Sequence, residues 1–162
     1  MSIEGTSVSA DNFEALVPPT IKELVAGWIK EDLPGMDIGG FVVGDQEESA
    51  NLLCKSPCIL SGRPFAQAVF DYFDLSVEWK YADGSTLDGS GTNKIVVATV
   101  RGPCRNVLMA ERSALNILSR ASGVASAARK GKEIADKHAW AGMVAGTRKT
   151  TPGFRSVEKY SL

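Results

Sequence analysis

Apolar positions along this 162-residue chain change their spacing several times, and the changes mark out the elements. In "VPPTIKELVAGWIKEDLP", Ile21, Leu24, Val25 and Trp28 recur at helical spacing, with Thr20 placed to cap the helix and Pro34 to stop it. "ESANLLCKSPCILSGRP" predicts a short apolar strand or strand pair broken at Pro57. Phe65, Val69, Phe70 and Phe73 return to helical spacing behind Pro64, a residue suited to a first turn. Val77, Trp79 and Tyr81 alternate with polar residues and predict a half-buried strand. "DGSTLDGSGTN" is rich in turn formers and predicts a loop, and "KIVVATVRG" predicts a strong strand.

The pattern then becomes helical. "PCRNVLMAERSALNILSR" predicts a helix from near Pro103, and "GVASAARKGKEIADKH" a second one, with Gly123 as the break between them. On a wheel of 100° per residue, Val107, Leu108, Ala114, Leu115 and Leu118 share one face of the first helix. Glu111 falls near the middle of that face, where a buried carboxylate needs a partner. Arg112 falls on its flank, able to rest its stem on apolar surface and send its guanidinium past the edge. "AGMVAG" predicts a short strand, and a further helix starts near Pro152. Mixed helix and sheet is thus followed by helix, strand, loop and helix, the order in which an α/β barrel or parallel sheet begins.

Composition narrows the function classes. With 44% hydrophobic residues, 23% charged residues and a formal net charge of −1, the chain reads as an ordinary globular protein. A near-neutral balance without aromatic-basic interleaving excludes a polybasic nucleic-acid or membrane-surface binder. No run approaches the roughly 18 apolar residues of a transmembrane helix. The start, "MSIEGTSVSADNFEAL", lacks the pattern of a secretory or mitochondrial leader and predicts a flexible terminus. Cys54, Cys58 and Cys104, an odd set without a CxxC, fit reduced thiols in the cytoplasm rather than a zinc site. His138, the single histidine, sits where exposure or helix C-capping is expected.

Chemistry concentrates near the end. "VAGTRKTTPGFRSVEKY" holds Arg148, Lys149, Arg155 and Lys159. In parallel α/β folds ligands bind just past the carboxyl ends of strands, and Arg148 and Lys149 would follow one. A guanidinium fork and an ammonium are the two usual ways to hold a carboxylate or phosphate, with Thr147, Thr150 and Thr151 adding hydroxyls. The alternative is a solvated pair at a strand end. Arg112 likewise reads either as an arginine crossing an interface or as half of a structural ion pair.

Taken together, "ERSALNILSRASGVAS" and "GTRKTTPGFRSVEKY" resemble quinolinate phosphoribosyltransferase, and "KIVVATVRGP" fits the amino-terminal domain of that family. The resemblance implies an α+β amino-terminal sandwich over residues 15–119, after a flexible 1–14, and the first part of an α/β barrel over 120–162. It implies phosphoribosyl transfer from 5-phosphoribosyl-1-pyrophosphate to quinolinate with decarboxylation, giving nicotinate mononucleotide, pyrophosphate and carbon dioxide. Magnesium would accompany the phosphoribosyl donor. The family works as homodimers or hexamers in which an arginine enters the neighbouring subunit's site. By motif position that arginine is Arg112, and the quinolinate-binding pair is Arg148 and Lys149, with Thr147 beside them. Quinolinate's two adjacent carboxylates call for several fixed cations, which explains why no nucleophile or general base stands out. The family's later barrel strands, with its magnesium and phosphate ligands, are expected to lie outside these residues. The 162 residues alone are expected to lack transfer activity. An alternative is an inactive subunit acting through dimerisation or weak anion binding.

Overall fold

The computed structural model describes residues 15–35 and 38–162. The predicted flexible terminus, 1–14, lies outside the described residues. Ten elements follow in order: α1 (Ile21–Asp32), α2 (Ile38–Val43), β1 (Glu47–Cys54), β2 (Pro57–Ile59), α3 (Arg63–Tyr72), β3 (Ser76–Trp79), β4 (Thr86–Asp88), β5 (Ile95–Pro103), α4 (Cys104–Lys137) and α5 (Arg155–Tyr160). β5 is the middle of an antiparallel sheet ordered β1-β5-β3, and β2 pairs with β4 in a separate two-stranded sheet. In the first sheet Asn51 faces Thr99, and the Thr99 hydroxyl donates to the Asn51 side chain at 3.1 Å. That bond satisfies a buried polar group in a mostly apolar strand.

Phe65, Ala66, Val69 and Phe70 of α3, Val97 and Val100 of β5, Val25 and Ile29 of α1, and Ala110, Ala114 and Ile117 of α4 form one core. Phe65 and Val69 are wholly excluded from solvent, each stabilising the fold by about 1.5–3 kcal/mol through apolar burial. α1 and α3 follow the spacing of their apolar residues, and Pro64 stands in the first turn of α3 as predicted. Thr20 precedes α1, but its side chain makes no cap bond; its carbonyl instead accepts from the Glu23 and Leu24 amides, each at 3.0 Å. β2 begins at Pro57, the predicted break. β3 ends at Trp79, which leaves Tyr81 exposed beyond it.

Four expectations need correction. "DGSTLDGSGTN" is not all loop: Thr86–Asp88 pairs with Pro57–Ile59 and buries Leu87. One apolar residue among turn formers is too short a pattern to read. Second, Gly123 breaks nothing, and α4 runs through it for 34 residues. A helix-interior glycine costs only about 1 kcal/mol against alanine, and the alanine-rich sequence on both sides outweighs that.

Third, the buried stripe of α4 is Ala110, Ser113, Ala114, Ile117, Leu118, Ala121 and Ser122. Leu108 and Leu115 are 43% and 39% exposed, and Glu111 is exposed with them. Small residues win the inward face because α4 approaches the chain at Gly62 closely; a Cβ there would stand 2.6 Å from that of Ala121. Fourth, "AGMVAG" is not a strand, and Met143 is 85% exposed. No strand among the described residues pairs with it, and a strand without a ladder partner leaves its amides to water. The segment instead runs beside the second half of α4, across a cavity of 710 Å³.

Candidate functional site

The loop holding Thr147, Arg148 and Lys149 joins that extended segment to α5. A six-residue helix is too short to persist alone, so its packing explains it. Val157 is fully buried. Phe154, just before α5, lies 5.2 Å from the Trp28 ring, and Tyr160 meets Phe65 edge-on at 5.4 Å. These contacts seat α5 on α1 and α3.

Polar bonds complete the seat. The Tyr160 hydroxyl donates to Asp83 at 2.7 Å, and Asp83 also accepts from the Gly62 and Arg63 amides at the start of α3. Burial pushes the Asp83 carboxyl up from its ordinary value, against the pull of the Tyr160 and backbone bonds. The Ser61 hydroxyl donates to that of Ser161 at 3.1 Å, which in turn donates to the Val157 carbonyl. Ser122 of α4 accepts from the Ser61 amide at 3.2 Å.

Glu158 latches the loop. Its Oε1 accepts from Arg120 Nε at 2.8 Å, Arg120 Nη2 at 2.6 Å and the Thr151 hydroxyl at 2.7 Å. Its Oε2 accepts from the Thr151 amide at 3.1 Å. The Thr151 hydroxyl and then Arg120 hold the Glu158 carboxyl below the ordinary carboxylate range, outweighing its burial. α4, α5 and the loop therefore converge on one carboxylate.

The four cations of the loop and α5 divide into two kinds. Arg155 Nε donates to the Thr150 hydroxyl at 3.1 Å, and Lys159 Nζ to the Gly146 carbonyl at 3.4 Å. Both brace the loop. Arg148 and Lys149 are exposed, and no side-chain bond or ion pair engages them among the described residues. The Thr147 hydroxyl accepts from the Lys149 amide at 3.1 Å and bends the chain between them. A fork and an ammonium are thus both exposed on a latched loop, not at a strand end.

Arg112 is elsewhere. Its Nη1 donates to Asp32 of α1 at 3.2 Å, and no contact joins it to residues 147–149 within the chain. Neither large concavity takes in the predicted site residues: the 710 Å³ cavity is lined by α4, 141–146 and 160–162, and one of 680 Å³ lies among Lys22, Arg63, Trp79 and Asp83. His138 caps α4.

Two family models match the chain: the N-terminal domain of quinolinate phosphoribosyl transferase over residues 37–122, and its C-terminal domain over 124–162. The chain belongs to this family. It is 46% identical to the rat nicotinate-nucleotide pyrophosphorylase (carboxylating) over 153 residues, 94% of this chain and 50% of the rat protein. The human protein of that name is 46% identical over 156 residues, 96% of this chain and 51% of its own. The nicotinate-nucleotide pyrophosphorylase structure from Francisella tularensis superposes with a TM-score of 0.79 at 26% identity, covering 99% of this chain and 53% of that one. The chain spans about half the length of the curated relatives it matches.

The two quinolinate phosphoribosyl transferase domains meet at Gly123, inside the continuous α4. The same helix carries Arg112, paired with Asp32, and Arg120, which anchors the loop, both of them before Gly123. Sequence reasoning missed the latch. Arg120 and Glu158 are 38 residues apart, and neither position has a local signature. A glutamate beside Val157 in a short helix was the only available signal.

Proposed function

We propose that the chain supplies part of the quinolinate-binding face of an enzyme in NAD biosynthesis. That enzyme moves a phosphoribosyl group from 5-phosphoribosyl-1-pyrophosphate to quinolinate with decarboxylation, giving nicotinate mononucleotide, pyrophosphate and carbon dioxide. The names of the rat and human relatives describe this conversion written in reverse. The observation that carries the reading is the sorting of the cations: Arg155 and Lys159 are spent on the loop, while Arg148 and Lys149 are free on it. Thr147, Arg148 and Lys149 bind the substrate's adjacent carboxylates, Arg148 by a two-pronged bond and Lys149 as a point charge.

Arg112 serves the neighbouring subunit's site in a homodimer or hexamer. Its exposed bond to Asp32 is of the kind worth only about 0–1 kcal/mol, so a substrate carboxylate can replace it. Leu108 and Leu115 flank it at 43% and 39% exposure, and α2, packed on α4, exposes Phe41 and Val42 at 84% and 77%. An apolar surface with an arginine in it suits a subunit interface. Magnesium accompanies the phosphoribosyl donor; among the described residues no group of three or more His, Cys, Asp or Glu is placed to hold a metal, so this chain is assigned no ligand. No helix among the described residues is long and apolar enough to cross a membrane. The free cysteines suit the cytoplasm.

The test is calorimetric titration of quinolinate into subunits of the relatives' full length. Arg148→Ala should weaken binding by about 1.5–3 kcal/mol, roughly ten- to a hundredfold. Nicotinate, with one carboxylate, should lose less. Unchanged quinolinate affinity would overturn the assignment.

A further inference from the structure

Cys54 and Cys58 play no part in the proposed site. Cys54 ends β1 and Cys58 lies in β2, so the pair spans the junction between the two sheets. Their sulfurs are 3.7 Å apart, and Cys54 Sγ donates to the Ser56 carbonyl at 3.0 Å. With the Cys54 proton committed to Ser56, Cys58 is the donor to the Cys54 sulfur. Both residues are partly exposed. A Cβ on Gly89 would stand 2.6 Å from the Cys54 carbonyl oxygen and 3.2 Å from its sulfur, so Gly89 allows a close approach to Cys54. A disulfide needs the sulfurs at about 2.05 Å, so the 3.7 Å contact must shorten on closure.

We propose that Cys54 and Cys58 are a dithiol modification site, closed to an intramolecular disulfide by a small disulfide such as oxidised glutathione. In the first step the Cys54 sulfur attacks one glutathione sulfur. The glutathione disulfide breaks, a mixed disulfide forms, and one glutathione leaves as its thiol. In the second step the Cys58 sulfur attacks the Cys54 sulfur of the mixed disulfide. The second glutathione leaves and takes the Cys58 proton. One dithiol is oxidised and one glutathione disulfide is reduced to two thiols.

Burial, with the Cys54 contact, pushes the Cys58 thiol up to about 11. That keeps it protonated at neutral pH, so Cys54 makes the first attack, on glutathione, and Cys58 the second, on the mixed disulfide. The closed form ties β1 to β2. β2 also rests on α4, where its Ile59 amide donates to the Ser126 hydroxyl at 2.9 Å. Oxidation therefore restrains the strand that leads into Ser61 and Gly62, the surface on which α5 sits.

The experiment is peptide mapping of the intact chain after incubation with oxidised glutathione and alkylation of remaining thiols. Lys55 lies between the cysteines, so trypsin separates them into peptides 31–55 and 56–80. The expected product is these two peptides linked, with two hydrogen atoms lost and Cys104 alkylated. Cys58→Ser should leave a stable glutathione adduct on Cys54. Unlinked peptides, a persistent adduct on wild-type Cys54, or links only to Cys104 or between chains would each overturn the proposal.

Discussion

Gly62 sets how closely α4 can approach the chain, and Gly62→Ala tests the packing on which the loop depends. Its φ is +95°, a conformation that costs an alanine about 1–2 kcal/mol. The added Cβ would meet the Ala121 Cβ at 2.6 Å and Ile117 Cγ2 at 3.7 Å. Ala121 is fully buried within α4 and has no flexible end to yield, so overpacking adds about 1–3 kcal/mol. Reduced freedom of the unfolded chain returns about 0.4–1 kcal/mol. The net expectation is a loss of about 2–4 kcal/mol, read from urea unfolding followed by circular dichroism. Adding Ala121→Gly should recover the contact part, less about 1 kcal/mol for a glycine within a helix, while the backbone part remains. A loss below about 1 kcal/mol for Gly62→Ala would refute the close approach. Full recovery in the double variant would refute the backbone part.

Glu158→Gln should free the loop, seen as several-fold faster tryptic cleavage after Arg148 and Lys149, and Arg120→Met should do the same; unchanged cleavage would sink the latch. Because the Glu158 carboxyl is held low, its stabilisation is complete above the unfolded carboxylate range and fades as pH falls through its lowered value. Asp83 has the opposite sign. Its carboxyl is raised, so its contribution is full below the unfolded value and lost as pH rises through the folded one. Asp83→Asn should therefore make stability rise more steeply with pH in the acid range, measured by urea unfolding at several pH values, and an unaltered slope would count against a raised carboxyl. Mixing full-length Arg112→Ala and Arg148→Ala subunits should restore part of the transferase activity, whereas no recovery would mean that each site is complete in one subunit.

What was legible in the sequence is what local pattern encodes. The stripes of α1 and α3, the break at Pro57 and the run of β5 each depend on neighbours a few residues away. Thr147, Arg148 and Lys149 were picked out for a different reason, since the motif around them is contiguous, and their role is a proposal. The failures share a cause as well. Reading Leu108 and Leu115 as buried weights side chains by apolarity, but α4 turns its alanines inward because a backbone approaches it at Gly62. The sequence left the burial of Glu111 open, and the structure exposes it with them.

The misread strand bears most directly on function. Were "AGMVAG" a strand in a sheet, ladder bonds would fix where Arg148 and Lys149 stand. In this structure no ladder does so, yet the loop after it has a defined course. Thr151, Arg155 and Lys159 hold it from one end, and Glu158 ties it to Arg120. The two free cations therefore take their position from α4 through a carboxylate. The same helix carries Arg112 eight residues earlier, about 12 Å along its axis. Any shift of α4 along itself moves Arg112, which we propose serves a neighbouring subunit, and the latch of the loop together. The stretch of α4 from Arg112 to Arg120, which lies wholly before Gly123, is thus what holds the two arginines in one frame.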